Sequence, residues 1–442
     1  MSLKTINRTH KKAFKGKTVP LIDLCLAISD CPHYTPNWTE YGELVIRNFN
    51  IKNGRLNLTE RYYTDKETFL DRIKRHKPES GDLIITREAP MGEVCIIPEG
   101  IECCLGQRMV LIKPNPKKVN NKYLLYAMLS EFVQKQIKKS DSSGSIVSNL
   151  CIPDLEQLNI PYIPLTEQEK VASILNPLFD NIEVNDKINY ELENLAKTIY
   201  NYWFVQFDFP NAEGKPYKTS GGELEWNEEL KREIPKGWEA ILLKDKLEFE
   251  RGVEPGSDKY FDTPSKETLI PFFKVGGMDG ETDVWIENEI ANGAKCCEDD
   301  ILLSLDGSVG RIAIGLKGSF SSGIRKVYEK AGYFPKSYIY FLLHSDEIQQ
   351  IIKKNATGSN ILHAAKALEY MLTPYEENIV KSFDKVCKPI FDKILQTKEE
   401  NQELIKLRDF LLPMLMNGQV KVKSEAKEQL SMAAEPQVKY GK

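Results

Sequence analysis

The sequence TEQEKVASILNPLFDNIEVNDKINYELENLAKTIYNYWF, residues 166–204, decides how the rest of the chain is read. Thr166 and Glu169 form a capping-box pattern, in which side chains satisfy the free N–H groups of a helix start. Ile188, Leu192, Leu195, Ile199 and Tyr202 then recur at alternating steps of four and three, predicting a helix whose apolar stripe packs on a partner helix. The partner lies further along the same chain. At a constant offset of 212, Pro177-Leu178-Phe179-Asp180 becomes Pro389-Ile390-Phe391-Asp392 and Ile182 becomes Ile394. Glu191-Leu192 likewise becomes Glu403-Leu404, and Leu195 and Ile199 become Leu407 and Leu411. Each shared proline is expected to break or kink its helix after about three turns. The segment beyond it, 178–205, would be on the order of 40 Å long.

The segments before the two helices repeat as well. DLIITREAPMG at 82–92 matches DILLSLDGSVG at 300–310, and Ser143-Gly144-Ser145 matches Thr357-Gly358-Ser359. Gly106 and Arg108 pair with Gly323 and Arg325, Tyr123 with Tyr338, Ile46-Arg47 with Phe273-Lys274, and Gly54 with Gly280. Short apolar runs at 44–46, 82–86, 94–97 and 109–112, punctuated by glycine, read as strands, and 121–138 has helical periodicity. Residues 207–236 read as a loop-rich boundary, Thr373-Pro374-Tyr375-Glu376 as the capped start of the second helix, and Asn417-Gly418 as its end. The expected fold is α+β, with two similar mixed α/β globules separated by two long helices packed as an antiparallel coiled coil about a pseudo-two-fold axis. The expected boundaries are 1–165, 166–206, 207–372 and 373–420, with a disordered tail at 421–442.

Composition narrows the function. Nine cysteines without framework spacing read as reduced thiols of a cytoplasmic protein. No run of about 18 apolar residues is present, and the N-terminal residues lack the apolar stretch of a secretion signal. The net charge of −4 hides a basic first segment, led by Lys4, Arg8, Lys11, Lys12, Lys15 and Lys17, and an acidic segment at 207–372. There is no phosphate-binding G-x-x-x-x-G-K-[ST], no G-x-S-x-G, and no two of the five histidines lie within four residues of each other. Asn176-Pro177-Leu178-Phe179 resembles a methyltransferase N-P-P-F loop only in part and is read as a kink. The E-x-K within 167–170 is read as part of the helix cap.

What remains suits recognition. Arg87, Arg108, Arg311, Arg325 and Lys326 lie on or beside the paired turns, and Arg47, Lys52, Arg55, Arg61 and Lys274 on the paired upstream segments. With Ser143, Ser145, Thr357, Ser359 and Asn360 in the small polar loops, they form a candidate set for phosphate and base-edge contacts. Aromatic residues are dense at the end of the first helix, and Phe179, Tyr202, Trp203, Phe204 and Phe391 are candidates for a protein-docking surface.

The stretches PLTEQEKVASIL and LENLAKTIYNYWFVQFDFPN resemble the conserved region of type I restriction–modification specificity subunits. GGELEWNEELKREIPKGWE at 221–239 and DCPHYTP at 30–36 carry the same resemblance. The second helix departs from the pattern, with Glu376-Glu377-Asn378-Ile379 at its start. The resemblance implies a non-catalytic subunit with two target-recognition domains, each reading half of a split, asymmetric site in double-stranded DNA. It implies two methyltransferase subunits as partners, joined by restriction subunits in the full complex. S-adenosylmethionine and ATP with magnesium would be bound by those partners, and no cofactor by this chain. The competing reading is a coiled-coil adaptor that binds proteins and never touches DNA.

Overall fold

The computed structural model describes residues 16–88, 90–140, 149–280, 282, 284–332, 334–358, 362–418 and 420. The expected tail at 421–442, most of the basic arm, and Ser143, Ser145, Ser359 and Asn360 lie outside them. The fold is mixed α/β, and the chain forms two compact units: Met1–Asp180 with Ile405–Lys442, and Asn181–Leu404.

In the first unit a four-stranded antiparallel sheet has the order β1 (Cys25–Asp30), β4 (Met109–Pro114), β2 (Leu83–Thr86), β3 (Val94–Ile96). β2 is buried along its whole length, as its unbroken apolar run requires. A second sheet joins Cys104–Leu105, Glu43–Ile46, Tyr62–Thr64 and Trp38–Thr39. The helical pattern at 121–138 forms two helices, α1 (Asn121–Leu129) and α2 (Glu131–Ser140). Ser130 interrupts them in an extended conformation, and its hydroxyl donates to the Ala127 carbonyl.

The second unit repeats this order. β5 (Leu247–Arg251), β8 (Ile324–Glu329), β6 (Ile301–Ser304) and β7 (Ile312–Ala313) form its antiparallel sheet. The second sheet joins Trp285–Glu287, Leu269–Phe273, Gly318–Phe320 and Lys295–Cys296, and α3 (Lys336–His344) and α4 (Asp346–Lys354) follow. Small details recur with the topology. The Gln134 amide donates to the carbonyls of Gly92 (3.0 Å) and Met128 (2.9 Å), and the Gln349 amide to those of Gly310 (3.0 Å) and Leu343 (2.9 Å). Gly92 and Gly310 both have left-handed φ, near 89° and 84°, as the predicted glycine turns need.

The two long helices are Leu165–Tyr200, extended by a π turn at Asn201–Val205, and Glu377–Met416. At 36 and 40 residues they would measure about 54 and 60 Å. Four sequence expectations for them need correction. Thr166 is not a cap, because the helix has already begun at Leu165; buried Gln168 accepts from the Asn120 N–H (2.8 Å) and donates to the Ile163 carbonyl (2.8 Å). Thr373 does not open the second helix but lies in a strand, Leu372–Tyr375, paired with Glu239–Leu242. The cap there is Glu376, whose carboxylate accepts from the Ile379 N–H at 2.7 Å. Of the expected break or kink at Pro177 and Pro389, the break is overturned, because both helices run on through their prolines. A proline removes one ladder bond, and burial of neighbours such as Leu175, Leu178 and Ile182, or Phe391 and Ile394, holds the helix through it.

The fourth correction concerns the packed face. Within the second unit the buried positions of the first helix are Ile182, Asn185, Asn189, Ala196 and Tyr200, while Ile188, Leu195 and Tyr202 are exposed. Leu192 and Ile199 of the predicted stripe pack against the core, so the stripe forms the seam only in part. Helix contact in this unit is antiparallel and centred on polar groups. The Asn185 amide donates to Asn401 Oδ1 (2.9 Å), the Asn401 amide to Asp186 (2.8 Å), and the Thr397 hydroxyl to Asn189. The aromatic run is covered from an unexpected side. Phe204, Phe207 and Phe209 pack around Trp238, which follows the hairpin Leu224–Asn227/Arg232–Pro235.

All nine cysteines are free. Burial pushes the Cys104 thiol up to about 11 and the Cys103, Cys296 and Cys387 thiols up to about 12, as expected of inert core thiols. No helix among the described residues is long and apolar enough to cross a membrane.

Candidate nucleic-acid interface

In the first unit the upstream cations gather on the small sheet. The Arg47 guanidinium lies over the rings of Tyr62 (4.5 Å), Phe49 (4.7 Å) and Trp38 (5.2 Å). Trp38 and Phe49 are both exposed, so an arginine and two accessible aromatic faces share one surface. Lys52 and Arg55 pair across the two-residue strands of an adjoining hairpin, and exposed Arg61 donates to the Leu58 carbonyl at 3.3 Å. Sequence reasoning identified the cations but not the rings, although Trp38, Phe49 and Tyr62 stand close to Arg47 in the chain.

The turn arginines differ from expectation. Arg87 is buried; it donates to Asp30 (2.8 Å), the Leu150 carbonyl (2.9 Å) and Asn149 (3.3 Å), so it braces the fold and is not offered to DNA. Arg108, with φ near 67°, is exposed and pairs with Glu88 at 3.2 Å. In the second unit Lys326 is likewise engaged, with Glu250 at 2.9 Å. Lys274 lies over the Tyr260 ring at 4.2 Å, and Arg311 donates to the Val275 carbonyl at 2.7 Å. Thr357 exchanges backbone hydrogen bonds with His363 (3.0 and 2.8 Å), whose ring meets Asp306 at 2.7 Å.

The strand register corrects the pairing of Gly106 and Arg108 with Gly323 and Arg325. The Gly106 N–H donates to the Ile46 carbonyl, as Ser321 does to Phe273; the Arg87 N–H donates to the Arg108 carbonyl, as Leu305 does to Gly323. Arg108 thus corresponds to Gly323, and Arg325 to Val110. By the same register Asp30, opposite Val110, corresponds to Arg251, opposite Arg325. Glu93, hydrogen-bonded to Thr86, corresponds to Arg311, bonded to Ser304. Arg251 was missed because only the register brings it beside Arg325.

The candidate docking residues also separate. Phe179 is buried against Tyr126 (4.8 Å) and the Arg408 guanidinium (5.6 Å). Trp203 and Phe204 pack on Phe383, and Phe391 packs on Tyr340. These four are core. Tyr202 is 40% exposed, and with Val184, Ile188 and Leu195 it belongs to an accessible apolar series on the first helix. No group of histidine, cysteine and carboxylate side chains capable of holding a metal occurs among the described residues.

The family model for the type I restriction modification DNA specificity domain matches residues 17–194. A putative type I restriction enzyme MjaX specificity subunit from Methanocaldococcus jannaschii is 32% identical over 404 residues, covering 88% of this chain and 89% of the relative. The MjaIX specificity subunit of the same organism is 28% identical over 406 residues, covering 89% and 87%. Among solved structures, the S subunit of a type I system from M. genitalium aligns over 92% of this chain and 97% of its own, with 16% identity and a TM-score of 0.44. On the extent and identity of the sequence match, the chain belongs to the type I restriction–modification specificity subunits.

Proposed function

We propose that this chain gives a type I restriction–modification complex its DNA sequence specificity, each unit reading one half of a split, asymmetric site. The observation that carries the proposal is a shared strand register bearing different side chains at corresponding positions: Asp30, Glu93 and Val110 in one unit, Arg251, Arg311 and Arg325 in the other. A common scaffold with unlike polar groups is what two readers of unlike half-sites require. In the first unit, Arg47, Lys52, Arg55, Arg61 and Arg108 are assigned to DNA contact; in the second, Lys274, Arg311, Arg325 and Thr357.

The accessible series Val184, Ile188, Leu195 and Tyr202 supports docking of methyltransferase subunits on the helical region, because exposed apolar side chains at helical spacing gain by burial against a partner. Methyl transfer, adenine extrusion and ATP-driven cleavage then belong to methyltransferase and restriction subunits. Those subunits bind S-adenosylmethionine and ATP with magnesium, and this chain binds no cofactor.

One experiment tests both parts. Residues 207–372 are exchanged for the corresponding segment of another specificity subunit, and host DNA methylation is mapped. The expected outcome is a new sequence in one half-site, with methyltransferase still co-purifying. A change in both half-sites refutes one reader per unit, and loss of co-purification moves docking into the exchanged segment.

A further inference from the structure

Arg251 and Arg325 stand directly opposite each other on neighbouring antiparallel strands. Like charges so placed repel, and neither arginine has a carboxylate ion-pair partner among the described residues. Arg325 is only 8% exposed, and its Nη1 donates to the carbonyl oxygens of Ser322 (2.6 Å) and Ile324 (3.1 Å). Burial, reinforced by Arg251, lowers its pKa, against the pull of Asp306. Both arginines line a cleft with Lys274, Glu254, Asp306 and His363. The two carboxylates there are already engaged, Glu254 by the hydroxyls of Ser322 (3.0 Å) and Tyr260 (3.2 Å), and Asp306 by the His363 ring.

We propose that the cleft between Arg251, Lys274 and Arg325 is a phosphate-binding site, filled by a backbone phosphate of the bound DNA. The assignment rests on the reading of the second unit as a DNA reader. A tetrahedral dianion or diester suits this geometry, because two guanidinium groups and an ammonium line one cleft whose two carboxylates are held by other side chains and ion-pair with none of the three cations. The corresponding place in the first unit is closed to an anion. Asp30 stands where Arg251 does, Val110 where Arg325 does, and Arg87 reaches across to neutralise Asp30. At this register position the phosphate contact therefore belongs to the second unit alone, where it helps anchor the duplex while other side chains read bases.

The test uses the full chain, with and without its methyltransferase subunits, in wild-type form and as Arg251→Gln and Arg325→Gln. Arg251 is exposed, so its variant retains the fold even if that of Arg325 does not. One arm measures the salt dependence of DNA affinity, and the other the thermal stabilisation by inorganic phosphate. The expected result is that phosphate stabilises the wild type but neither variant, and that each variant makes the slope of log K against log salt shallower by about one. Arginine-dependent stabilisation with an unchanged DNA slope would overturn the backbone phosphate as occupant. No arginine-dependent effect in either arm, with DNA binding intact, would overturn the site and leave the reading of the unit standing. If the wild type binds no DNA at any salt, the DNA reader falls, and the phosphate arm alone decides the cleft.

Discussion

The two units share a frame and differ in what the frame carries. Thr86 and Ser304 each donate a hydroxyl to a turn carbonyl at 2.6 Å, Gln134 and Gln349 each bridge two carbonyls, and Tyr123 and Tyr338 each stand fully buried at a helix head. The hydroxyls of Thr86 and Ser304 and the amides of Gln134 and Gln349 answer backbone carbonyls that the topology leaves without partners, so the same topology demands them twice; the two tyrosines repeat as core rings. The changed positions answer one another instead. The first unit closes its charges internally, through Arg87 with Asp30 and Arg108 with Glu88. The second leaves Arg251, Lys274, Arg311 and Arg325 without ion pairs among the described residues. At these register positions one unit pairs its charges and the other leaves its cations open, while the first unit carries its accessible cations elsewhere, on the small sheet around Arg47.

The largest effect expected from breaking this contrast is at Arg87. Arg87→Ala leaves the partly buried Asp30 with only the exposed His33 ring at 3.1 Å, removes the brace to Leu150 and Asn149, and should cost the first unit about 3 kcal/mol, measured by urea unfolding. Leu305, which holds the equivalent position, has no ion pair to lose. Gln134→Ala and Gln349→Ala should each cost about 1–3 kcal/mol by leaving carbonyls unpaired. Nearly equal losses are expected, and a large difference between the two would show that the frame is not equivalent. The smallest effect concerns acid. His344 occupies the position of Leu129; burial holds its imidazole below the ordinary value, so the fold keeps it neutral. Its stability contribution is then complete above about pH 6.5 and lost as pH falls below it, because the unfolded chain takes up the proton. His344→Leu should flatten the acid side of the stability profile of the second unit, and an unchanged profile would discharge His344 of any part in it.

Sequence alone made much of this legible. The 212-residue offset located both helices, and the DLIITREAPMG and DILLSLDGSVG runs located equivalent strands and turns, because apolar alternation and glycine punctuation are local properties. Pairing across strands is not local. A repeated Gly-x-Arg made Arg108 and Arg325 look equivalent, while hydrogen-bond register sets them two residues apart. The helix seam was hidden for a related reason: hydrophobic periodicity points to Ile188 and Leu195, whereas the buried positions include Asn185, Asn189, Thr397 and Asn401. Aromatic density was taken for a docking face because nothing near Trp203 shows that Trp238 returns to cover its neighbours. In the candidate interface the cations of the first unit were readable from type and position, but the buried role of Arg87 and the pairing of Arg251 with Arg325 were not.

The amide and hydroxyl layer between the helices restricts how their length can change. Inserting residues between Asn185 and Asn189 in one helix alone would pull one of the two pairs, Asn185–Asn401 or Asn189–Thr397, out of register, leaving buried polar groups without partners at about 1–3 kcal/mol each. The layer therefore works as a ruler: it holds the spacing of both helices across this one stretch and leaves changes of length to the segments beyond it.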